Sequence, residues 1–310
     1  MEHLTGLVAA TCTPMHADGR LAVETIERLA ERFLRDRVSG VFVCGTTGEF
    51  PALTMEERLQ VAERWCDVAG SGLPVVVHVG GCCLAECETL AAHAQRKGAD
   101  AIAAVAPYFL RPRTIEELVD FSGRIAAAAP RLPFYYYHIP RLSHVEFPMI
   151  DLLEASVSRI PNLAGIKYSD LDLVDLGRCV ARGGDRIRIL FGCDEALLSA
   201  LALGVEGAVG TTYGFAAPLY HGVLDAFRRG DLPAARQAQA RSMEMVAVFE
   251  RHGGHPAMKA AMKLVGTDCG PVRPPLRSLS PEEHAALEAE LEAIGFREFC
   301  SPEPSQSVHD

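Results

Sequence analysis

The 310-residue sequence contains no apolar run approaching the roughly 18 residues that a bilayer-spanning helix needs. A membrane protein of the helical kind is therefore not expected. The first residues, Met1-Glu2-His3-Leu4-Thr5-Gly6, have no basic start, apolar stretch or small-residue cleavage site, so no secretory leader is expected either. Positive charge is in short supply. Thirty Lys and Arg stand against 40 Asp and Glu, for a formal net charge of −10 and an isoelectric point near 5.6. Nucleic-acid binders usually show a basic patch, so nucleic acid is not an expected partner. An anionic small molecule stays admissible, because one pocket can differ from the average.

Metal and nucleotide motifs are missing too. Ten cysteines are present, but none forms a CxxC pair, and the cluster Cys82, Cys83 and Cys87 has no His pair at zinc-finger spacing. There is no HxH or HExxH, no Ser-His-Asp constellation legible by spacing, and no GxGxxG after the first apolar segment. No metal or nucleotide cofactor is expected. Ten cysteines without an export signal imply reduced thiols, small buried residues for the most part, and a cytoplasmic location.

What is present is ordinary globular material: 49% hydrophobic and 23% charged residues. The length admits two domains, or one barrel of roughly 200–250 residues with an addition. Short runs rich in Val, Ile and Phe alternate with longer segments of helical period, the pattern of βα units with parallel strands. Strands are predicted at residues 7–11, 41–44, 75–79, 101–106, 134–137, 164–167, 187–191 and 207–209. Helices are predicted at 23–37, 55–68, 84–97, 115–128, 149–159, 174–181, 195–203 and 218–229. Thr54 and Thr114 each precede a Glu at the third helical position, a helix-start signal. Eight such units predict a (β/α)8 TIM barrel over residues 1–230, with a doubly wound sheet as the alternative. Helices at 231–251, 256–264 and 281–293 form a C-terminal helical region over 231–300, and 301–310 reads as a frayed tail.

In such a barrel the chemistry sits at the carboxyl ends of the strands. Reactive side chains gather there. Lys167 closes the apolar strand Leu163-Ala164-Gly165-Ile166; burial would lower its pKa from about 10.4 and leave an amine able to attack a carbonyl. The alternative is an ion pair with Asp170 or Asp172. Tyr137 closes the neighbouring strand, placed to shuttle a proton at the same substrate. Alternation puts Tyr135 and Tyr137 on one face and Tyr136 on the other. Gly45-Thr46-Thr47-Gly48 offers hydroxyls and open backbone amides to a carboxylate, or caps the next helix. Asp194 and Glu195 suit several hydroxyls, or serve as cap and first-turn acid. His138 is a candidate base, or a partner of the loop backbone.

Together these residues resemble the pyruvate-dependent class I aldolases of the dihydrodipicolinate synthase/N-acetylneuraminate lyase superfamily, nearest its animal-type lyase branch. The most specific segments are Gly6-Leu7-Val8-Ala9-Ala10-Thr11, Gly45-Thr46-Thr47-Gly48-Glu49, Phe134-Tyr135-Tyr136-Tyr137-His138-Ile139-Pro140, Gly165-Ile166-Lys167, Leu190-Phe191-Gly192 with Asp194-Glu195, and Ala208-Val209-Gly210-Thr211-Thr212-Tyr213. The resemblance implies a Schiff-base lysine at Lys167 and a proton-transferring tyrosine at Tyr137. It implies a pyruvate carboxylate held by Thr46 and Thr47 with Ser169 nearby, and a polyhydroxy chain held by Gly192, Asp194, Glu195 and Thr211. The implied reaction is reversible cleavage of N-acetylneuraminate (sialic acid) to N-acetyl-D-mannosamine and pyruvate, without a cofactor, in a cytoplasmic homotetramer.

Branch assignment rests on few positions. Synthases carry an arginine two residues past the proline of the tyrosine motif; here that residue is Leu142, and Arg141 lies one early. Two departures stand out: Ser143-His144 where a glycine usually ends the loop, and Phe109 where bacterial relatives use a tyrosine for proton relay. With Phe109 the implied relay runs through Tyr137, water and the substrate carboxylate. The alternatives are a related aldolase acting on 4-hydroxy-2-oxoglutarate or a keto-deoxy sugar acid, and a non-catalytic barrel that binds sugar acids. A phosphosugar barrel is disfavoured, since Gly210-Thr211-Thr212 is not a glycine-rich phosphate cup.

Overall fold

The computed structural model describes residues 4–301. In chain order it runs β1 (Gly6–Ala10), α1 (Thr25–Arg35), β2 (Gly40–Val43), α2 (Met55–Ala69), β3 (Val75–His78), α3 (Leu84–Arg96), β4 (Ala101–Val105) and α4 (Ile115–Ala127). It continues through β5 (Phe134–His138), α5 (Pro140–Ser143), α6 (Met149–Ser156), β6 (Leu163–Tyr168), α7 (Leu173–Gly183), β7 (Arg188–Phe191), α8 (Leu197–Ala202), β8 (Gly207–Gly210) and α9 (Tyr213–Arg228). Three further helices follow: α10 (Leu232–Arg251), α11 (His255–Leu264) and α12 (Pro281–Ala293).

The eight strands pair in sequence order, all parallel, and β8 closes on β1. The strands are buried on both faces, which is why they read as unbroken apolar runs. Alternation then sorts each strand into two cores. Inward residues such as Val8, Phe42, Val76, Val105, Tyr135, Tyr137 and Leu190 fill the barrel, while outward residues such as Tyr136, Ile166 and Tyr168 join the layer under the helices. Gly165 belongs to the inner set: a Cβ there would lie 2.7 Å from the Tyr135 ring. In the outer layer Trp65 of α2 is fully buried and lies parallel to Phe33 of α1, with ring centroids 6.0 Å apart.

Strand and helix ends fall within a few residues of the sequence expectation, with three differences. Residues 195–203 are not one helix: a 3-10 turn at Asp194–Ala196 leads into α8. The helix expected from Pro218 starts five residues earlier, at Tyr213. Pro218 has no N–H to give to the carbonyl four residues back, so the helix breaks at Ala216 (φ −124°, ψ 30°) and runs on beyond the proline. The short helix α5 was not foreseen; Pro140 starts it by fixing φ at its first position. Beyond Ser301, the tail expected at 301–310 lies outside the described residues.

The start signals are real. Thr54 forms a full capping box with Glu57, and Thr114 accepts from the Glu117 N–H. Because Thr54 caps α2, Thr46 and Thr47 are free of that duty.

Candidate active site

A cavity of about 580 Å³ opens at the carboxyl ends of the strands, lined by Thr46, Thr47, Tyr137, Lys167, Ser169, Gly192, Asp194, Glu195 and Thr211 among others. All nine residues to which the family resemblance gives a role line this cavity.

At its floor Lys167 and Tyr137 are register partners on β6 and β5. Both point inward because each is two residues beyond another inward position, Gly165 and Tyr135. Lys167 Nζ sits 3.9 Å from the centre of the Phe42 ring and 4.1 Å from that of Tyr137. Apolar enclosure penalises the ammonium and lowers the Lys167 pKa to about 7, with the Asp194 carboxylate pulling weakly the other way. Near neutral pH the group is thus poised between ammonium and amine. Neither Asp170 nor Asp172 neutralises it, which removes the ion-pair alternative. The Asp170 carboxylate faces His138 at 3.7 Å, and Asp172 caps α7 by accepting from Val174 and Asp175.

Tyr137 is fully enclosed and its phenol is pushed up to about 12 by burial, offset in part by hydrogen bonds with Thr46 and Ser169. The Thr46 hydroxyl and the phenol lie 3.2 Å apart, and the Thr47 hydroxyl lies 2.7 Å from that of Thr211. Hydroxyls from the ends of β2, β5, β6 and β8 thus meet in the cavity that holds Lys167.

Asp194 is buried, and burial raises its pKa to about 6 against the opposing pull of Thr212. Its Oδ2 accepts from the Thr212 N–H at 3.0 Å and the Thr212 hydroxyl at 2.6 Å, while Oδ1 has no partner. Asp194 does not cap its own helix, as one reading of the sequence allowed; it braces the start of α9 and keeps one oxygen free. Two glycines make room here. A Cβ on Gly210 would lie 1.8 Å from Asp194 Oδ1, and one on Gly192 would lie 2.0 Å from the Ser169 hydroxyl. Glu195 is half-buried and lines the cavity beside them.

One sequence expectation changes, and the two departures from the family pattern take their places. His138 points away from the cavity, packing on Tyr168 with ring centroids 5.0 Å apart, so it is not a base for this site. Phe109 is 80% exposed and does not line the cavity. His144 takes the left-handed conformation (φ 52°) that glycine would adopt, so the turn after α5 is kept with a costlier residue.

The sequence missed one whole wall. Val246, Glu250, His255 and Met258 of α10 and α11, with Arg273 to Leu276 of the following loop, close the cavity from the C-terminal region. A barrel-rim rule cannot find them, and helical periodicity is silent on which end of a barrel a helix covers. Arg141 also lines the cavity, although it lies one position from where an arginine was sought.

Among the described residues no group of three or more His, Cys, Asp or Glu is assembled as a metal site, and no helix is long and apolar enough to cross a membrane.

A closed eight-stranded barrel with a buried lysine facing a tyrosine at its mouth, and a ring of hydroxyls around both, has the architecture of a lysine-dependent aldolase. The dihydrodipicolinate synthetase family model matches residues 3–294, and the chain belongs to that family. Within it, the chain is 42% identical over 303 residues to N-acetylneuraminate lyase of Pongo abelii, covering 96% of this chain and 95% of that one. The solved N-acetylneuraminate lyase of Proteus mirabilis superposes with a TM-score of 0.92 at 36% identity, over 95% of this chain and 100% of that one. The native structure of the N-acetylneuraminate lyase (sialic acid aldolase) of Aliivibrio salmonicida gives 0.92 at 37% identity, over 96% and 98%.

Proposed function

We propose that the protein is a carbon–carbon lyase that cleaves N-acetylneuraminate reversibly to N-acetyl-D-mannosamine and pyruvate through a Schiff base on Lys167. The observation that carries the reading is the enclosed Lys167 amine with the Tyr137 phenol as its register partner. The names of the similar lyases support the choice of substrate.

In this reading Thr46 and Thr47 hold the carboxylate of the open-chain sugar and Lys167 attacks its ketone. Loss of water gives an iminium ion. Its positive charge forms beside the Tyr137 ring and favours the phenolate despite a resting pKa near 12; the phenol passes its own proton through water to the substrate carboxylate, and the resulting phenolate takes the C4 hydroxyl proton. The C3–C4 bond breaks, its electron pair moves into the iminium, and N-acetylmannosamine leaves. The enamine is protonated at C3 and hydrolysed to pyruvate, which restores the amine. Gly192, Asp194, Glu195 and Thr211 hold the hydroxylated chain. The same reading includes no cofactor, a cytoplasmic location and a homotetramer.

Arg141 in the cavity wall favours a second reading, a related aldolase whose substrate carries a second carboxylate, such as 4-hydroxy-2-oxoglutarate. Pyruvate release from each compound by the purified protein separates the two. Release from N-acetylneuraminate is expected; release from the diacid alone would overturn the assignment of Asp194 and Glu195, and silence on both would leave a binding protein.

A further inference from the structure

The segment from Cys44 to Thr54 carries Thr46 and Thr47, yet little of it is regular structure. Two of its non-glycine residues, Cys44 (φ 54°) and Glu49 (φ 57°), are held in the left-handed region. Such conformations persist only where the surroundings impose them. The barrel supplies part of the restraint: the Thr13 hydroxyl donates to the Gly48 carbonyl at 2.7 Å, His78 Nδ1 lies 2.9 Å from the Cys44 carbonyl, and the Thr46 and Thr47 hydroxyls meet those of Tyr137 and Thr211. The Glu49 end of the segment is held from the C-terminal region.

Glu49 is buried, only 5% exposed, and its carboxylate accepts from two groups more than two hundred residues away. Lys259 of α11, itself 2% exposed, donates from Nζ to Oε1 at 2.7 Å, and the Arg273 backbone N–H donates to Oε2 at 2.8 Å. Lys259 also donates to the Pro271 carbonyl at 2.7 Å, which fixes the ammonium from a second side. The Arg273 side chain donates to both Glu57 oxygens at 2.5 Å and to the Ala52 and Gly19 carbonyls at 2.9 and 2.8 Å. His255 Nε2 stands 3.6 Å from Glu49 Oε1, and the buried Cys12 and Cys269 thiols lie within electrostatic reach of the same ammonium. Burial alone would raise the Glu49 pKa, but His255, Lys259 and the Arg273 N–H hold it near 2. The carboxylate is charged and wholly dependent on these partners.

We propose that the Glu49–Lys259 ion pair is a positioning device through which the C-terminal region sets the Thr46–Thr47 cradle, so that α11 and its following loop are part of the catalytic apparatus. Glu49 borders the cavity, but both of its carboxylate oxygens are engaged by Lys259 and the Arg273 N–H, so the pair acts through the two threonines three and two residues before Glu49. The consequence for catalysis rests on the reading of those threonines as the carboxylate site. A buried pair of this kind is a weak source of net stability, but removing one member strands the other charge. The stranded charge sits at the base of the cradle, so carboxylate binding is the step that suffers.

The test uses the full-length protein with Lys259→Met and, should that variant fail to fold, Glu49→Gln, which keeps an acceptor for the Arg273 N–H. Two readouts are taken. Amide hydrogen exchange should speed up at least tenfold across residues 45–53 of the variant, with β5 and β6 unchanged. Half-saturation of borohydride trapping by pyruvate should rise at least tenfold while the trapping rate at saturation falls less than threefold. Lys259→Arg should recover most of both losses, and Glu49→Gln/Lys259→Met should lose less than the product of the single variants. Unchanged exchange across 45–53 in a folded variant overturns the proposal, as does a fall in saturated rate with unchanged half-saturation. If the wild type is not trapped by pyruvate at all, the aldolase reading fails, and the exchange measurement still decides whether the pair holds the loop.

Discussion

Tyr137 and Lys167 face each other across the β5–β6 pairing, and the lysine nitrogen rests 4.1 Å from the centre of the tyrosine ring. The pairing fixes their separation through the backbone of two buried strands, so little side-chain freedom remains to be lost on reaching the reactive geometry.

The first prediction concerns pH. Enclosure places the Lys167 pKa at about 7, below the ordinary value of 10.5. Only the neutral amine attacks a ketone. Imine formation should therefore rise as pH increases through about 7 and level off above it. Initial trapping rates between about pH 5.5 and 9 check this; a rate still climbing at the upper limit would mean an unperturbed lysine.

Tyr137→Phe keeps the ring that packs against Lys167 and Phe42 but removes the phenol. Imine formation with pyruvate should survive, while cleavage should fall about 10²–10⁴-fold, the usual worth of a positioned acid–base group. Parallel trapping and turnover assays distinguish this from simple misfolding, in which both would be lost.

Gly210→Ala would put a methyl group 1.8 Å from the present position of Asp194 Oδ1. The carboxylate must move, breaking its hydrogen bonds to Thr212. We expect the KM for the sugar acid to rise about tenfold or more, the cost of one or two misplaced hydrogen bonds, with pyruvate trapping little changed. Equal loss in both assays would show that Asp194 serves the fold rather than the sugar.

The sequence made the barrel, its strand order and the placing of Lys167 and Tyr137 at the ends of neighbouring strands readable, because period-two alternation and the carboxyl-end rule are local or topological; which face of the sheet each took it left open. It left open whether Lys167 meets Asp170, because which acid a strand-end lysine meets depends on loop geometry; the structure turns Asp170 toward His138. Glu49 was visible as part of a motif, but its partners Lys259 and Arg273 are 210 and 224 residues away, beyond any periodicity. The cavity wall from α10 and α11 was hidden for the same reason.

His144 offers a stability test at the turn after α5. A non-glycine residue in the left-handed region costs about 1–2 kcal/mol, partly offset by the greater unfolded-state freedom of glycine. His144→Gly should thus stabilise the protein by about 0.5–1 kcal/mol in urea unfolding, with an unchanged denaturant slope. Destabilisation would mean that the imidazole makes contacts that outweigh its backbone strain.

The central claim, that Lys167 is the carbonyl-attacking amine, is tested most directly by reducing the wild-type protein with borohydride in the presence of pyruvate and mapping the adduct by peptide mass spectrometry. The account predicts one modified peptide, carrying the adduct on Lys167, and none in Lys167→Ala. An adduct on another lysine, or labelling that persists in Lys167→Ala, would contradict it.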